Sequence, residues 1–192
     1  MSLDLDILEW LSQHRTPSLT TVARSAMHLG TSTIVIGAVG VVGLVLVVAK
    51  RWWWQTVTIA VSVVAALTTA VALKHLVQRA RPPEALAIVP SGGFSMPSTV
   101  AALTAAVAVA AYLVFPWPSR YRRGLAIPLA VFVVLVGGAM VYLGAHWPSD
   151  VVAGWAVGAG ISGAVASLAR VAVRRWNWRL PRSVSEPENS RA

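Results

Sequence analysis

Five runs of apolar residues, at about 31–49, 56–73, 99–115, 124–143 and 151–173, leave this chain few ways to fold. Each run holds 17 to 23 residues, and a helix rising 1.5 Å per residue needs roughly that many to cross about 30 Å of hydrocarbon. In that medium each backbone N–H and C=O must find a partner inside its own segment, so the runs are predicted to be helices. Of the 192 residues 56% are hydrophobic and 12% charged, about half the charge share of a soluble domain. The fold class that follows is all-α: an integral-membrane bundle of about five transmembrane helices.

The formal charge of +9 would suggest nucleic acid in a soluble protein. Here the Lys and Arg residues fall between apolar runs, where they set topology, and no nucleic-acid partner is expected. "KRWWWQ" lies between the first two runs, "PWPSRYRRG" between the third and fourth, and "RRWNWRLPR" after the fifth. With Trp52, Trp53, Trp54, Trp117, Trp176 and Trp178 placed as an aromatic belt, these segments define one side, predicted to be cytoplasmic. Residues 1–30 are amphipathic, with Leu5, Leu8 and Leu11 on one face and a break at Pro17. They read as one or two interfacial helices ending at Gly30. Asp4, Asp6 and Glu9 stand where a cleaved leader would be basic, so no such leader is expected. The chain thus divides into an interfacial segment at 1–30, a bundle at 31–175 and a tail at 176–192, whose end, "SVSEPENSRA", is predicted to be disordered. The absence of cysteine excludes disulfides and thiolate chemistry.

The opposite side collects the reactive residues. "KHLVQRARPP" places Lys74, His75, Arg79 and Arg81 just after the second run, against the charge rule. On a continuing helix ended by Pro82 and Pro83, Lys74 and Arg81 would share a face about 10 Å apart. Such cations repel unless an anion sits between them; the structural alternative is snorkelling. Ser98 stands at an N-cap, where its hydroxyl and the N–H groups of Thr99, Val100 and Ala101 can cradle a phosphate or simply cap the helix. In "GAHWPSD", Pro148 and Asp150 suit a first helical turn. A carboxylate four residues after His146 can accept from one imidazole nitrogen, leaving the other as nucleophile or base. Gly154 and Gly158, four apart, offer a close-packing face, best used inside the same bundle.

These stretches resemble the type 2 phosphatidic acid phosphatase family, membrane lipid phosphate phosphatases related to vanadium haloperoxidases. The family's Lys, six residues, Arg-Pro is matched in full by "KHLVQRARP". "FSMPSTV" keeps Phe94, Ser95, Pro97 and Ser98 of the second motif, and "AMVYLGAHWPSD" keeps Tyr142, Leu143, Gly144, His146 and Asp150 of the third. The resemblance covers about residues 20–173. It implies His146 as a nucleophile that forms phosphohistidine, Asp150 as its orienting carboxylate, and Lys74, Arg81 and Ser98 as phosphate ligands. It implies no cofactor and no metal. The partners it implies are membrane lipids and a lipid phosphate or diphosphate substrate, polyprenyl or phosphatidyl, reached from the outer leaflet.

Four positions depart from the family pattern. Thr99 and Val100 replace the Gly-His that supplies the leaving-group proton, and Ala139 and Met140 replace a Ser-Arg that clamps phosphate. Losing a general acid costs about 10²–10⁴ in rate, and losing one charge-stabilising donor about 10²–10³. His75 and His28 are candidate replacement acids, and Arg79 a candidate replacement clamp. Two readings follow: a phosphatase with weakened activity that favours lipid diphosphates, or a non-catalytic protein that binds lipid phosphates. A purely structural membrane subunit fits less well, because it needs no convergent cations.

Overall fold

The computed structural model describes residues 3–179. Among these described residues seven helices follow one another: α1 (Leu3–Gln13), α2 (Pro17–Thr31), α3 (Thr33–Lys50), α4 (Trp53–Val77), α5 (Thr99–Val114), α6 (Ser119–Tyr142) and α7 (Pro148–Arg179). A single 3-10 turn, Glu84–Leu86, interrupts the connection between α4 and α5, and no strand occurs among the described residues. The fold is an all-α membrane bundle. Trp53–Val77, Ser119–Tyr142 and Pro148–Val173 are each long and apolar enough to cross a bilayer, whereas α5 is shorter. The 25 residues of α4 extend about 37 Å, enough to cross the hydrocarbon with a turn to spare. The tail "SVSEPENSRA" and the side chains of Trp176 and Trp178 lie outside the described residues.

Local chemistry accounts for the helix limits. Pro17 sits in the first turn of α2, and Thr16 caps it by accepting from the Leu19 N–H at 3.3 Å. Phe115 is extended because Pro116 follows, and α5 ends there. One expectation fails: Lys74 and Arg81 do not share a helix face, because α4 stops at Val77. Gln78 adopts the left-handed conformation (φ 49°, ψ 32°) and returns its N–H to the Lys74 carbonyl at 2.9 Å. The next carbonyls find partners outside any helix. Arg79 O accepts from Ser95 N at 2.9 Å, and Ala80 O accepts from Ser95 Oγ at 3.0 Å and Trp147 Nε1 at 2.9 Å. Arg81 therefore projects from an extended connector and can turn inward.

Small residues bring the site-bearing helices together. Lipid tails are as apolar as leucine, so association in a bilayer relies on close packing rather than on the hydrophobic effect. Gly154 lies against the Ser98 carbonyl and Ala101, and Gly158 against the Ala102 carbonyl, so α7 and α5 touch backbone to backbone. Fully buried Ala101, Ala102 and Ala106 line the same helix. At the far end of α4 from Lys74, Trp52 meets Phe115 with ring centroids 5.1 Å apart, and Phe115 meets Trp117 at 5.6 Å. The connections preceding α4 and α6 thus share one end of the bundle, and the candidate site residues occupy the other. Helices α1 and α2 dock at the reactive end, where Ala23 joins Val89, Ala139, Leu143 and Ala145, and Leu8 is fully buried.

A Gly158→Val substitution should force α5 and α7 apart at an overpacking cost of about 1–3 kcal/mol. Gly160, whose Cβ would meet nothing within 4 Å, provides the control. Thermal unfolding in detergent is expected to show a lower midpoint for Gly158→Val and none of that loss for Gly160→Ala.

Candidate functional site

The turn between α6 and α7 aims the imidazole. Gly144 takes φ 75°, a conformation that favours glycine, and any Cβ there would run into the Leu86 carbonyl. The Gly144 N–H reaches Val141 O at 3.0 Å and the Ala145 N–H reaches Met140 O at 2.9 Å. That pair of bonds is a Schellman ending, which satisfies the last α6 carbonyls and turns the chain toward α7. His146 follows at once. Pro148 opens α7, and Asp150 reaches back to accept the Trp147 N–H at 3.0 Å, one half of a capping box.

His146 is 4% exposed and Asp150 is fully buried. His146 Nδ1 lies 3.4 Å from Asp150 Oδ2, at ion-pair distance but outside hydrogen-bond geometry, and that buried nitrogen has no other partner. Arg81 Nη1 lies 3.4 Å from His146 Nε2. A guanidinium can only donate, so Nε2 is the accepting nitrogen, which assigns the ring proton to Nδ1, facing Asp150. Burial is the largest influence on the imidazole and favours its neutral form. Asp150 partly offsets this, while Arg81 and Lys74 add to it, and the net effect holds His146 below the ordinary histidine value. A neutral ring with an accessible lone pair on Nε2 is what a nucleophile requires.

The two motif cations are held by carbonyl oxygens. Lys74 Nζ donates to Phe94 O at 2.9 Å. Arg81 Nε donates to Gly92 O at 2.9 Å and Gly93 O at 3.2 Å, and its Nη1 donates to Ala145 O at 2.6 Å. A cavity of about 430 Å³ opens beside Lys74, lined by Val71, Lys74, His75, Gly92, Gly93, Phe94 and Thr99. Helix α4, the connector, the α6–α7 turn and the first turn of α7 thus bring Lys74, Arg81, His146 and Asp150 into one cluster. Ser98 is different. Its hydroxyl is fully buried, accepts from the Ala101 N–H at 3.3 Å and donates to Met140 Sδ at 3.6 Å. It is committed as a helix cap, and its backbone N–H donates to Asp150 O at 2.9 Å.

Three of the four departing positions form apolar packing, and the fourth lines the cavity. Val100 and Met140 belong to one cluster with Met27, Ala101 and Val151. Ala139 packs with Ala23 and Leu143, and Thr99 lines the cavity. Among the candidate replacements, His75 meets Phe94 edge-on at 6.0 Å and borders the cavity, and His28 is exposed on α2. Arg79 is taken up by carboxylates: Nη1 donates to Asp150 Oδ1 at 2.8 Å and to Ser149 Oγ at 2.6 Å, and Nη2 to Asp4 Oδ2 at 2.6 Å. Sequence reasoning missed Asp4, Trp147 and Ser149. The available signal for Asp4 was its place one turn before Leu8 on the face of α1 that becomes buried. Among the described residues no group of three or more His, Asp or Glu side chains is placed to hold a metal ion.

Comparison with known proteins bears on the family and the fold. Residues 55–174 match the model of the PAP2 superfamily. The chain is 31% identical over 148 residues to phosphatidylglycerophosphatase B of Bacillus subtilis (strain 168), covering 75% of this chain and 72% of that protein. The crystal structure of a transmembrane PAP2 type phosphatidylglycerolphosphate phosphatase from Bacillus subtilis is similar with a TM-score of 0.75 at 26% identity, covering 94% of this chain and 87% of that one. Aquifex aeolicus LpxE shares the fold with a TM-score of 0.71 at 19% identity, covering 87% of this chain and 96% of that one.

A histidine titration checks the electrostatics. The His146 ring should titrate below about 6.5, and Arg81→Gln should raise that midpoint by removing a cation that opposes protonation. For stability the sign is fixed by the depressed folded value. The contribution is complete above the unfolded value near 6.5 and is lost as the pH falls through the folded one, because the unfolded chain takes up the proton first. Proton NMR in detergent, with the His146 signal identified by substitution, measures the midpoint. An unshifted midpoint in both proteins would contradict the assignment.

Proposed function

Because the chain belongs to the PAP2 superfamily of membrane lipid phosphatases, we propose that it removes phosphate from a lipid phosphate or diphosphate, of polyprenyl or phosphatidyl type, through a His146 nucleophile. The observation that carries this reading is the placement of His146 Nε2 beside Arg81, with Asp150 behind the ring. In the proposed reaction the neutral Nε2 attacks phosphorus in line, the P–O bond to the leaving group breaks, and phosphohistidine forms. Asp150 stabilises the charge that appears on the ring through its Nδ1–H. Lys74 and Arg81 exchange the carbonyls of Phe94, Gly92, Gly93 and Ala145 for phosphoryl oxygens. Ser98 joins them if its hydroxyl turns from Met140. Water then hydrolyses the phosphohistidine. The positive-inside rule puts the site on the extracytoplasmic face, the C-terminus in the cytoplasm and residues 1–30 at the interface.

The leaving group decides the substrate. No acid stands at Thr99 or Val100, so a lipid alkoxide, comparable to hydroxide with a pKa of about 16, would have to leave without a proton. A lipid monophosphate leaving from a diphosphate has its second pKa near 6 and departs unaided. The proposed preference is therefore for diphosphates. A second reading, a non-catalytic protein that binds lipid phosphates, draws on the packing of Val100 and Met140 into one apolar cluster.

Phosphate release by purified protein in detergent separates the two readings. A polyprenyl diphosphate is expected to turn over at least about 10²-fold faster than a lipid monophosphate, the low end of a missing general acid. Phosphatidylglycerophosphate, suggested by the name of the Bacillus relative, is the monoester to use. His146→Ala should abolish release. Equal background in both proteins would favour binding without chemistry, and equal rates on the two lipids would refute the diphosphate preference.

A further inference from the structure

Helix α1 lies outside the residues that match the family model, which begin at 55, yet one of its side chains reaches the reactive cluster. Asp4 Oδ1 accepts the Ser149 N–H at 3.0 Å, and Oδ2 accepts from Arg79 Nη2 at 2.6 Å and from the Ser149 hydroxyl. Asp4 thereby serves one of the unpaired N–H groups in the first turn of α7, where a negative charge is favoured. On its other side Arg79 donates to Asp150 Oδ1 and packs over the Trp147 ring at 5.2 Å. Burial raises the Asp4 carboxyl, but hydrogen bonds from Arg79 and Ser149 outweigh it and keep the group below its ordinary range.

A fully buried carboxylate needs a cation. Were the imidazole the sole candidate near Asp150, the pair would settle as carboxylate and imidazolium, and the nucleophilic lone pair would be lost. Arg79 removes that demand by satisfying Oδ1, while Oδ2, held by the Trp147 N–H, stays in front of His146 Nδ1. We propose that Asp4 and Arg79 are positioning residues for the His146–Asp150 pair: α1 supplies the carboxylate that fixes Arg79, and Arg79 sets how much of the Asp150 charge reaches the imidazole. The catalytic part of this inference rests on His146 being the reacting group, as proposed above. The charged groups around the ring are Asp150 from α7, Arg81 from the connector and Lys74 from α4, with Arg79 acting through Asp150 and Asp4 from α1 through Arg79.

The signs of the effects separate this role from that of a mere brace. Removing the Arg79 charge leaves more of Asp150 to stabilise the imidazolium, so Arg79→Gln should raise the His146 midpoint by about one pH unit. Removing the Asp4 charge leaves Arg79 less shared and adds net positive charge, so Asp4→Asn should lower the midpoint by a smaller amount. Arg79→Lys, which keeps the charge, should return the midpoint close to that of the parent. Loosened packing would instead expose the ring and move both Gln and Asn variants upward toward the ordinary value. NMR titration of the full chain in detergent, with helical content checked by circular dichroism, reads all four proteins. Opposite shifts support the inference; a rise in both, or movement in neither, overturns it. Turnover of a lipid diphosphate supplies a separate arm, in which Arg79→Gln should displace the acid limb of the rate profile upward by the same amount. If the parent protein releases no phosphate, the phosphatase reading fails while the titration still decides the positioning role.

Discussion

A carboxylate with no contact to water holds the reactive end of this bundle together. Asp150 accepts from Arg79 and from the Trp147 backbone, faces His146 Nδ1, and through its own carbonyl accepts the Ser98 N–H at the start of α5. Isolating such a charge from solvent would cost several kcal/mol without partners. These partners come from three stretches: Arg79 from the connector after α4, His146 and Trp147 from the α6–α7 turn, and Ser98 from the cap of α5. Arg79 and the Trp147 N–H compensate the carboxylate, the Ser98 N–H ties the Asp150 backbone to α5, and together they set Asp150 in front of His146.

The bundle makes that arrangement affordable by letting helices approach closely. Gly154 and Gly158 press against the backbone of α5 at Ser98 and Ala102, which brings the α7 N-terminus and the α5 N-terminus into the same layer. Gly144 performs a similar service at the end of α6, where its left-handed turn lies against Leu86. Packing of small residues thus determines where the charges can meet, and the charges determine what the meeting point can do. The loop carbonyls at Gly92, Gly93 and Phe94 complete the balance by occupying Lys74 and Arg81. A phosphoryl group carrying more negative charge than a carbonyl dipole would be the stronger partner for both.

Much of this was legible beforehand. Hydropathy periods located the helices, because lipid demands internally satisfied backbone, and Ser98, Pro148 and Asp150 marked helix starts through ordinary capping chemistry. The gathering of Lys74, Arg81, His146 and Asp150 followed from motif spacing and from alternation of the spans. Other features were hidden for physical reasons. The exit of the chain from α4 at Val77 depends on Ser95 and Trp147, distant residues that take over the Arg79 and Ala80 carbonyls. Ser98 looks the same in sequence whether its hydroxyl faces a ligand or Met140. Asp4 belongs to an amphipathic helix whose docking site is tertiary, and nothing within its own segment announces that its carboxylate meets Arg79.

In the proposed reaction His146 Nε2 is the atom that takes up phosphate. Rapid mixing of the protein with a radiolabelled lipid diphosphate, followed by alkaline quench and peptide mapping, tests this most directly. The expected result is an acid-labile phosphoryl group on His146, formed in the parent and absent from His146→Ala. Phosphate released without any label on His146, or label retained equally in the Ala variant, would contradict it.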